Sequence, residues 1–426
     1  MSNKTVRIRM YHVGFGDCFL IILPDKRTIL IDAGFHGQGK GEFSGNALPE
    51  RIRDDLIEIR DEPRIDVVIA THRHQDHIYS FNSENWGEIE IGEVWLPWVE
   101  DRSNPDAKKL WKKQQSFAMN LAAAAPMLSL SAEERENVEF LLWNAGVEIG
   151  VSEFAVGGWS NAGALDTLHE GFARRDRTKP RFLPESLSFP ETFETPVLPN
   201  VKVHVLGPPR DADLIEHLDP ASDGETYKAF ALAASAGLLP SQDAACAPFG
   251  PAWQVPDTEL NEILPLDGSD IERLKDLVQK TDALFAATKV DGMINSTSLV
   301  LVLEIGKARL LFPGDAEWGT WKRILDDEAA RTLLKSCTFL KVGHHGSHNA
   351  TAKTLVEKVL PSGIPALMPT QEGPGKYRSN IPLKDLLDAL ELRGITCIRS
   401  DRGDEDLPDG FEGDDTRTWT DLEIRC

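Results

Sequence analysis

A chain of 426 residues, 41% hydrophobic and 27% charged, has enough apolar material for one large core with insertions or for two adjoining domains, and its composition excludes a disordered polymer. Its 68 Asp and Glu against 46 Lys and Arg give a formal net charge of −22, which disfavours stable binding to duplex DNA, because neutralising many phosphates takes a basic surface. No apolar run of about 18 residues occurs, the opening MSNKTVRIRMYHVG lacks the apolar stretch of a secretory signal, and Cys18, Cys246, Cys337, Cys397 and Cys426 stand singly, so a cytoplasmic protein with free thiols and no membrane attachment is expected.

The runs VRIRMYHV and CFLIILP, joined by Gly14-Phe15-Gly16-Asp17 and followed by TILIDAG, alternate with short turns and predict a β-meander. Glu50 to Arg60 predicts a helix, Ile65 to Ala70 a buried strand, and Ile91 to Leu96 another. From about residue 100 the sequence turns Trp-, Ala- and Glu-rich, with helices expected at Leu121–Ala125 and Glu133–Trp143. Residues 177–200 form an ordered excursion before the strand Val201–Leu206, which the breaker Gly207-Pro208-Pro209 ends. Residues 210–285 hold a second insertion with an amphipathic helix at Ser269–Lys280, on Ile271, Leu274 and Leu277. Strands return at SLVLVLEI, ARLLFPGD and CTFLKVGHHGSHNA, with a helix around Trp318–Leu334, a helix at Leu383–Leu392, the strand ITCIRS and an acidic tail ending in WTDLEIR. Strands grouped at both ends around helical insertions predict an α/β fold, a four-layer αββα sandwich. The expected organisation is residues 1–99 as one half of the sandwich, 100–200 as a mainly helical insertion, 201–285 as a strand plus a second insertion, and 286–426 as the other half.

Thr71-His72-Arg73-His74-Gln75-Asp76-His77 closes a predicted strand with four metal-ligand side chains. His72 and His74, two apart in an extended segment, project to the same side, while Asp76 and His77 can turn back toward a second ion. Two more apolar strands end in the same way, LLFPGD in Asp315 and LKVGHHGS in His344 and His345. Alone, Asp315 also allows a minority reading as a helix N-cap, and the histidines one as an ordinary loop pair. Three ligand-bearing strand ends in one chain favour a metal site. No G-x-S-x-G or Cys-His nucleophile is present, and the glycines of residues 34–41, with Lys40, lack the order of a phosphate-binding loop.

These segments, with VGFGDCFLI (13–21), ILIDAG (29–34), VLGPP (205–209) and NSTSLVLVL (295–303), resemble the metallo-β-lactamase superfamily, and within it the hydrolase domain of the ComEC competence proteins. The resemblance covers both ends of the chain and leaves out residues 100–195 and 210–285. It implies a metallo-β-lactamase sandwich with two divalent ions, zinc or manganese. His72 and His74 would hold one ion, and Asp76, His77 and one of His344 or His345 the other, His344 being favoured as the first after its strand. Asp315 would bridge, and Asp32 would steady the ligands from behind. Asn295 stands where most relatives supply a third histidine, as a weak oxygen ligand or a hydrogen-bond donor, and an oxygen-richer site shifts preference from Zn²⁺ toward Mn²⁺ or Mg²⁺. Tyr377–Pro382 also lacks the histidine of the Gly-His-Pro that related sequences often carry there.

Two such ions activate water, so Asp76, Asp315 and His348 are candidate catalytic side chains, and Ser347, Lys376, Arg378 and Asn295, with His348, candidate substrate contacts. The resemblance favours a phosphodiester, and the acidic balance restricts it to nucleotides, oligonucleotides or strand ends. Similar ligands serve lactone, thioester and β-lactam hydrolysis. A metal-binding interaction protein with little turnover, docking a partner on the 100–200 insertion through Trp95, Trp98, Trp111, Trp143 and Trp159, is the contrasting expectation.

Overall fold

The structure is a computed structural model that describes residues 4–36, 47–124, 130, 132–145, 161–172, 179–215, 287–347, 350–371, 381–403, 406–416 and 418–426. The expected helix at Ser269–Lys280 lies outside these residues.

The meander forms as β1 (Thr5–Tyr11), β2 (Cys18–Ile22) and β3 (Thr28–Ala33), all antiparallel. After β3 the chain crosses over through α1 (Ala47–Arg60), which buries Leu48, Ile52 and Leu56 at four-residue spacing, and returns as β4 (Arg64–Ile69), parallel to β3. The remaining strands are β5 (Glu90–Pro97), β6 (Arg181–Leu183), β7 (Glu191–Thr195), β8 (Leu198–Gly207), β9 (Val300–Ile305), β10 (Ala308–Phe312), β11 (Phe339–Lys341), β12 (Pro365–Met368), β13 (Thr396–Arg399), β14 (Phe411–Gly413) and β15 (Trp419–Arg425). They make two sheets, ordered β14-β15-β1-β2-β3-β4-β5-β6 and β13-β12-β11-β10-β9-β8-β7. Strands β6 and β7 fall within the 100–200 region expected to be mainly helical, and each extends one sheet at its edge.

Apolar side chains from both sheets, among them Ile8, Phe19, Val203, Leu301 and Phe312, interleave as one central core. The outer face of the first sheet is covered by α1 and neighbouring segments, and that of the second by α6 (Trp318–Asp326), α7 (Glu328–Leu334) and α8 (Lys384–Leu392) once the helices are numbered along the chain. Helix, sheet, sheet, helix is the expected four-layer order, and the fold is that of the metallo-β-lactamase sandwich.

Two helices differ from expectation. The single helix predicted over Trp318–Leu334 is broken at Asp327, whose backbone is extended and whose side chain accepts a 2.8 Å hydrogen bond from the Ala330 amide, so this aspartate starts a new helix. In the first insertion, α3 (Pro105–Ala124) begins far earlier than Leu121. Asn104 caps it by accepting from the Asp106 and Ala107 amides, and Pro105 occupies the first turn, where a missing N–H costs nothing. The next helix, α4 (Ala132–Asn144), matches its prediction to within a residue. A further helix, α5, covers residues 287–295 ahead of β9. No helix among the described residues is long and apolar enough to cross a membrane.

Candidate metal centre

The ligand-bearing segments follow parallel neighbours in each sheet: β3 and β4 in the first, β10 and β11 in the second. A parallel pair delivers successive strand ends to the same edge, where loops gather polar side chains. The Leu299 amide donates to the Thr71 carbonyl at 2.9 Å and ties the two edges together. The short helix α2 (Gln75–Ile78) sits directly on backbone. A Cβ on Gly34 would lie 2.2 Å from His77 N and 2.3 Å from Asp76 C, and one on Gly16 would lie 2.3 Å from Gly34 O. These two glycines let Asp76 and His77 approach β3 closely.

Three close pairs of donor atoms converge there. His72 Nε2 lies 3.0 Å from His74 Nδ1, His77 Nε2 lies 3.2 Å from Asp315 Oδ2, and His345 Nε2 lies 2.9 Å from Asp76 Oδ2. His72, His77 and Asp315 present ligand atoms all within 4.8 Å of one another, and all are buried. Two donors each about 2.0–2.2 Å from a tetrahedral ion are separated by about 3.4 Å, so these spacings suit shared cations. Asp76 Oδ1 is buried with no hydrogen-bond partner. A dry carboxylate oxygen of that kind is costly unless a cation reaches it. The residues therefore fit divalent ions.

The far sides of the His77, His345 and His72 rings each meet a polar partner, as metal-binding histidines require. His77 Nδ1 lies 2.8 Å from Asp32 Oδ2, and Asp32 also accepts from the Thr71 amide and hydroxyl, both at 2.7 Å. His345 Nδ1 donates to the Pro369 carbonyl at 2.9 Å. His72 Nδ1 faces Thr71 Oγ1 at 3.2 Å. A second buried group, Asp17 with His77 and His345, meets the same 4.8 Å criterion, but through the Nδ1 atoms, each 3.7 Å from Asp17. Those nitrogens are already committed to Asp32 and Pro369, so Asp17 supports the ligands from behind.

Electrostatics separate the rings. Burial, reinforced by the rings of His77 and His74, holds His72 well below the ordinary histidine value, and burial takes His74 down to about 3. Burial opposes charge on His77 as well, but Asp315, Asp17, Asp32 and Asp76 surround it and hold its pKa well above the usual value. His345 moves up in the same way, burial being outweighed by Asp76 and Asp17. Burial works against ionisation of Asp76 and Asp315 too, yet the histidines, and for Asp315 also Lys341, keep both carboxylates below their ordinary range.

Lys341 and Asp17 carry no role in the sequence reasoning. The Lys341 ammonium is buried, forms a short ion pair with Asp17, and lies 3.4 Å from Asp315 Oδ1 and 3.5 Å from the Gly314 carbonyl. Burial disfavours its charge, but Asp17 and Asp315 raise its pKa above the usual lysine value. The His344 amide donates to Asp315 Oδ1 at 2.9 Å. Asp315 Oδ1 is thus occupied, and Oδ2 is the oxygen turned to His77. The detectable signal in the sequence was a lone lysine closing the apolar strand Phe339–Lys341, and an aspartate in a Gly-x-Gly-Asp turn.

Of the two adjacent histidines, His345 brings its Nε2 to Asp76 Oδ2, at 2.9 Å. His344 is half-buried and contributes its backbone N–H, whereas the His345 ring is fully buried between Asp76 and Pro369. Both residues have positive φ, 47° and 53°, an uncommon conformation for non-glycine residues, and this double left-handed turn carries the second ring inward. Asp315 is not a helix cap, since Glu317 precedes the first turn of α6. Asn295 is fully buried, and its Nδ2 donates to Asp291 Oδ2 at 3.2 Å and Glu317 Oε1 at 3.5 Å. Ser347 is buried next to His345. His348, Lys376 and Arg378 lie outside the described residues, as does Trp159. Trp95 and Trp98 are core residues, and Trp111 and Trp143 are half-buried.

The first insertion braces the ligand loop. Arg73, buried between His72 and His74, donates to Glu100 at 3.1 Å and to Gln114 of α3, and its guanidinium lies over Trp111. Gln114 in turn donates to the Met293 carbonyl of α5 at 2.9 Å. Asn161 Nδ2 donates to the Arg73 carbonyl at 2.8 Å, and Asn144 of α4 accepts from the Asp76 amide at 3.3 Å.

A buried cluster of imidazoles and carboxylates between the ends of two sheets, with Asp17 Oδ1 and Asp76 Oδ1 both lacking a hydrogen-bond partner, is a candidate divalent-metal centre. Residues 12–82, which include Asp17, Asp32 and His72–His77, match the family model of the metallo-beta-lactamase superfamily. No curated protein matches the chain.

Proposed function

We propose that this protein is a metal-dependent hydrolase acting on a phosphodiester of nucleotide, oligonucleotide or strand-end size. The observation that carries the hydrolase reading is the buried convergence of His72, His77 and Asp315 with the Asp76–His345 pair. The family match over residues 12–82 supports it. Divalent cations at such a centre supply a nucleophile from water near neutral pH and withdraw charge from the scissile group. The chain's own part is positioning. Asp315 offers one fixed oxygen, His77 and His345 keep their Nε2 atoms inward through Asp32 and Pro369, and the buried walls keep bulk water from the donor atoms.

The phosphodiester assignment rests on the ComEC-like motifs, and the net charge of −22 limits the substrate to one that meets little protein surface. The test is hydrolysis of bis-p-nitrophenyl phosphate in Mn²⁺ and Zn²⁺ by the wild type, Asp315→Ala and His74→Ala. Both variants are expected to stay folded and lose turnover. Retained turnover in either removes the site assignment, and a panel in which only lactones, thioesters or β-lactams turn over replaces the phosphodiester by that class.

A further inference from the structure

We propose that Asp291, on α5, is the positioning residue for the cation held by His72 and His74, gripping two neighbours of that cation with its two carboxylate oxygens. The inference rests on the metal-centre reading above and assigns a residue that no motif includes. Asp291 is buried, only 7% exposed. Its Oδ1 lies 3.6 Å from His74 Nε2, and its Oδ2 accepts the 3.2 Å hydrogen bond from Asn295 Nδ2, one helical turn later on α5.

Each contact faces the outer side of its partner. His74 Nδ1 is the nitrogen paired with His72 Nε2 at 3.0 Å, so its Nε2 is the free end of the ring and points at a carboxylate. The layout is that of His77 with Asp32, drawn out from 2.8 Å to 3.6 Å. His74 Nε2 is buried with no hydrogen-bond partner, and shortening its 3.6 Å approach to Asp291 on cation binding satisfies it. Asn295 repeats the logic. Two carboxylates, Asp291 and Glu317, face its Nδ2 and fix which end of the amide is nitrogen, leaving Oδ1 on the opposite side, buried and with no hydrogen-bond partner. One aspartate therefore holds the amide of Asn295 and stands where a small approach would also fix the tautomer of His74. Gln114, which joins Arg73 to the Met293 carbonyl, holds α5 against the ligand loop.

The test is calorimetric titration of the metal-free full-length chain with Mn²⁺ and with Zn²⁺, alongside metal content after loading and thermal unfolding of the metal-free form. Wild type is expected to take two equivalents. Asp291→Ala is expected to weaken one of them by about 10- to 100-fold, leaving the other and the metal-free unfolding midpoint in place. Asp291→Asn, whose amide can accept from only one of the two N–H groups while its own NH₂ opposes the other, is expected to fall between, and it carries the test if the alanine variant does not fold. Wild-type stoichiometry and affinity in both variants overturn the inference while leaving the hydrolase reading intact. A wild-type chain that takes up no divalent ion overturns both.

Discussion

Asp32 and His77 are joined by a 2.8 Å contact between Oδ2 and Nδ1, made between β3 and the helix α2 that follows β4, and this contact turns His77 Nε2 toward Asp315. Asp32 reaches it from a left-handed backbone, φ 57°, with three hydrogen bonds converging on one carboxylate. Replacing it by alanine frees the ring and leaves the Thr71 amide and hydroxyl without their acceptor. Asp32→Ala is expected to lower divalent-cation affinity by about 10- to 100-fold, read by competition with a chromophoric chelator. Unchanged affinity refutes the anchoring role.

Cation uptake is expected to release protons. Neighbouring carboxylates push His77 well above and His345 above the ordinary histidine value, so these two rings hold protons that a cation must displace to higher pH than an ordinary histidine does, whereas burial pushes His72 and His74 below it. The loaded state then holds fewer protons than the empty one, so apparent affinity rises with pH until His77 and His345 have lost their protons. Binding enthalpies measured in buffers of different ionisation heat reveal the released protons, and identical enthalpies in all buffers contradict this reading.

Gly34→Ala probes the close approach of α2 to β3. The added methyl overlaps the Asp76–His77 backbone, which must move away from β3 and carry both side chains with it. Destabilisation of about 1–3 kcal/mol, by analogy with overpacked interiors, is expected together with weaker metal binding in denaturant and metal titrations. Wild-type values in both would show that the loop absorbs a methyl freely.

Away from the metal centre, Arg9 bridges the two ends of the chain. It contacts Asp421 through Nε at 2.7 Å and Nη2 at 2.8 Å, lies 2.8 Å from Asp55 of α1, and stacks on Trp419. Arg9→Met takes from two buried carboxylates the one buried cation they share, leaving Asp55 with the more exposed Arg51 at 3.0 Å and Asp421 with Arg7 at 3.7 Å. A loss of about 3–5 kcal/mol in equilibrium unfolding is expected. The double variant with Asp421→Leu should recover part of it, and additive losses would count against a specific pair.

Most of the sandwich was legible because its strands are short apolar runs bounded by Gly, Pro and Asp, and because β10 and β11 each end in a ligand. The break at Asp327 was not, since the apolar pattern of Trp318–Leu334 continues through it and the capping bond is made by a single side chain. The choice between His344 and His345 depended on two consecutive left-handed residues, a conformation that adjacent histidines do not announce. Asp17, Lys341 and Asp291 were hidden for a common reason: each acts through another residue, from a different element, and has no ligand spacing of its own. Arg73 was in plain sight within the ligand motif, but its partners Glu100 and Gln114 lie on a segment that the motif does not include.

The pairing of β1 with β15, Thr5 opposite Arg425, has a bearing on when the protein becomes able to hold its ions. Asp76 meets His345 across 269 residues of chain, and His77 meets Asp315 across 238. During synthesis His72–His77 emerge long before either partner, as a loop with no enclosing wall. Closing such long loops is slow and entropically costly, so the early strands wait for the late ones. A cation held by the Asp76–His345 and His77–Asp315 pairs therefore needs both of these distant segments already in place.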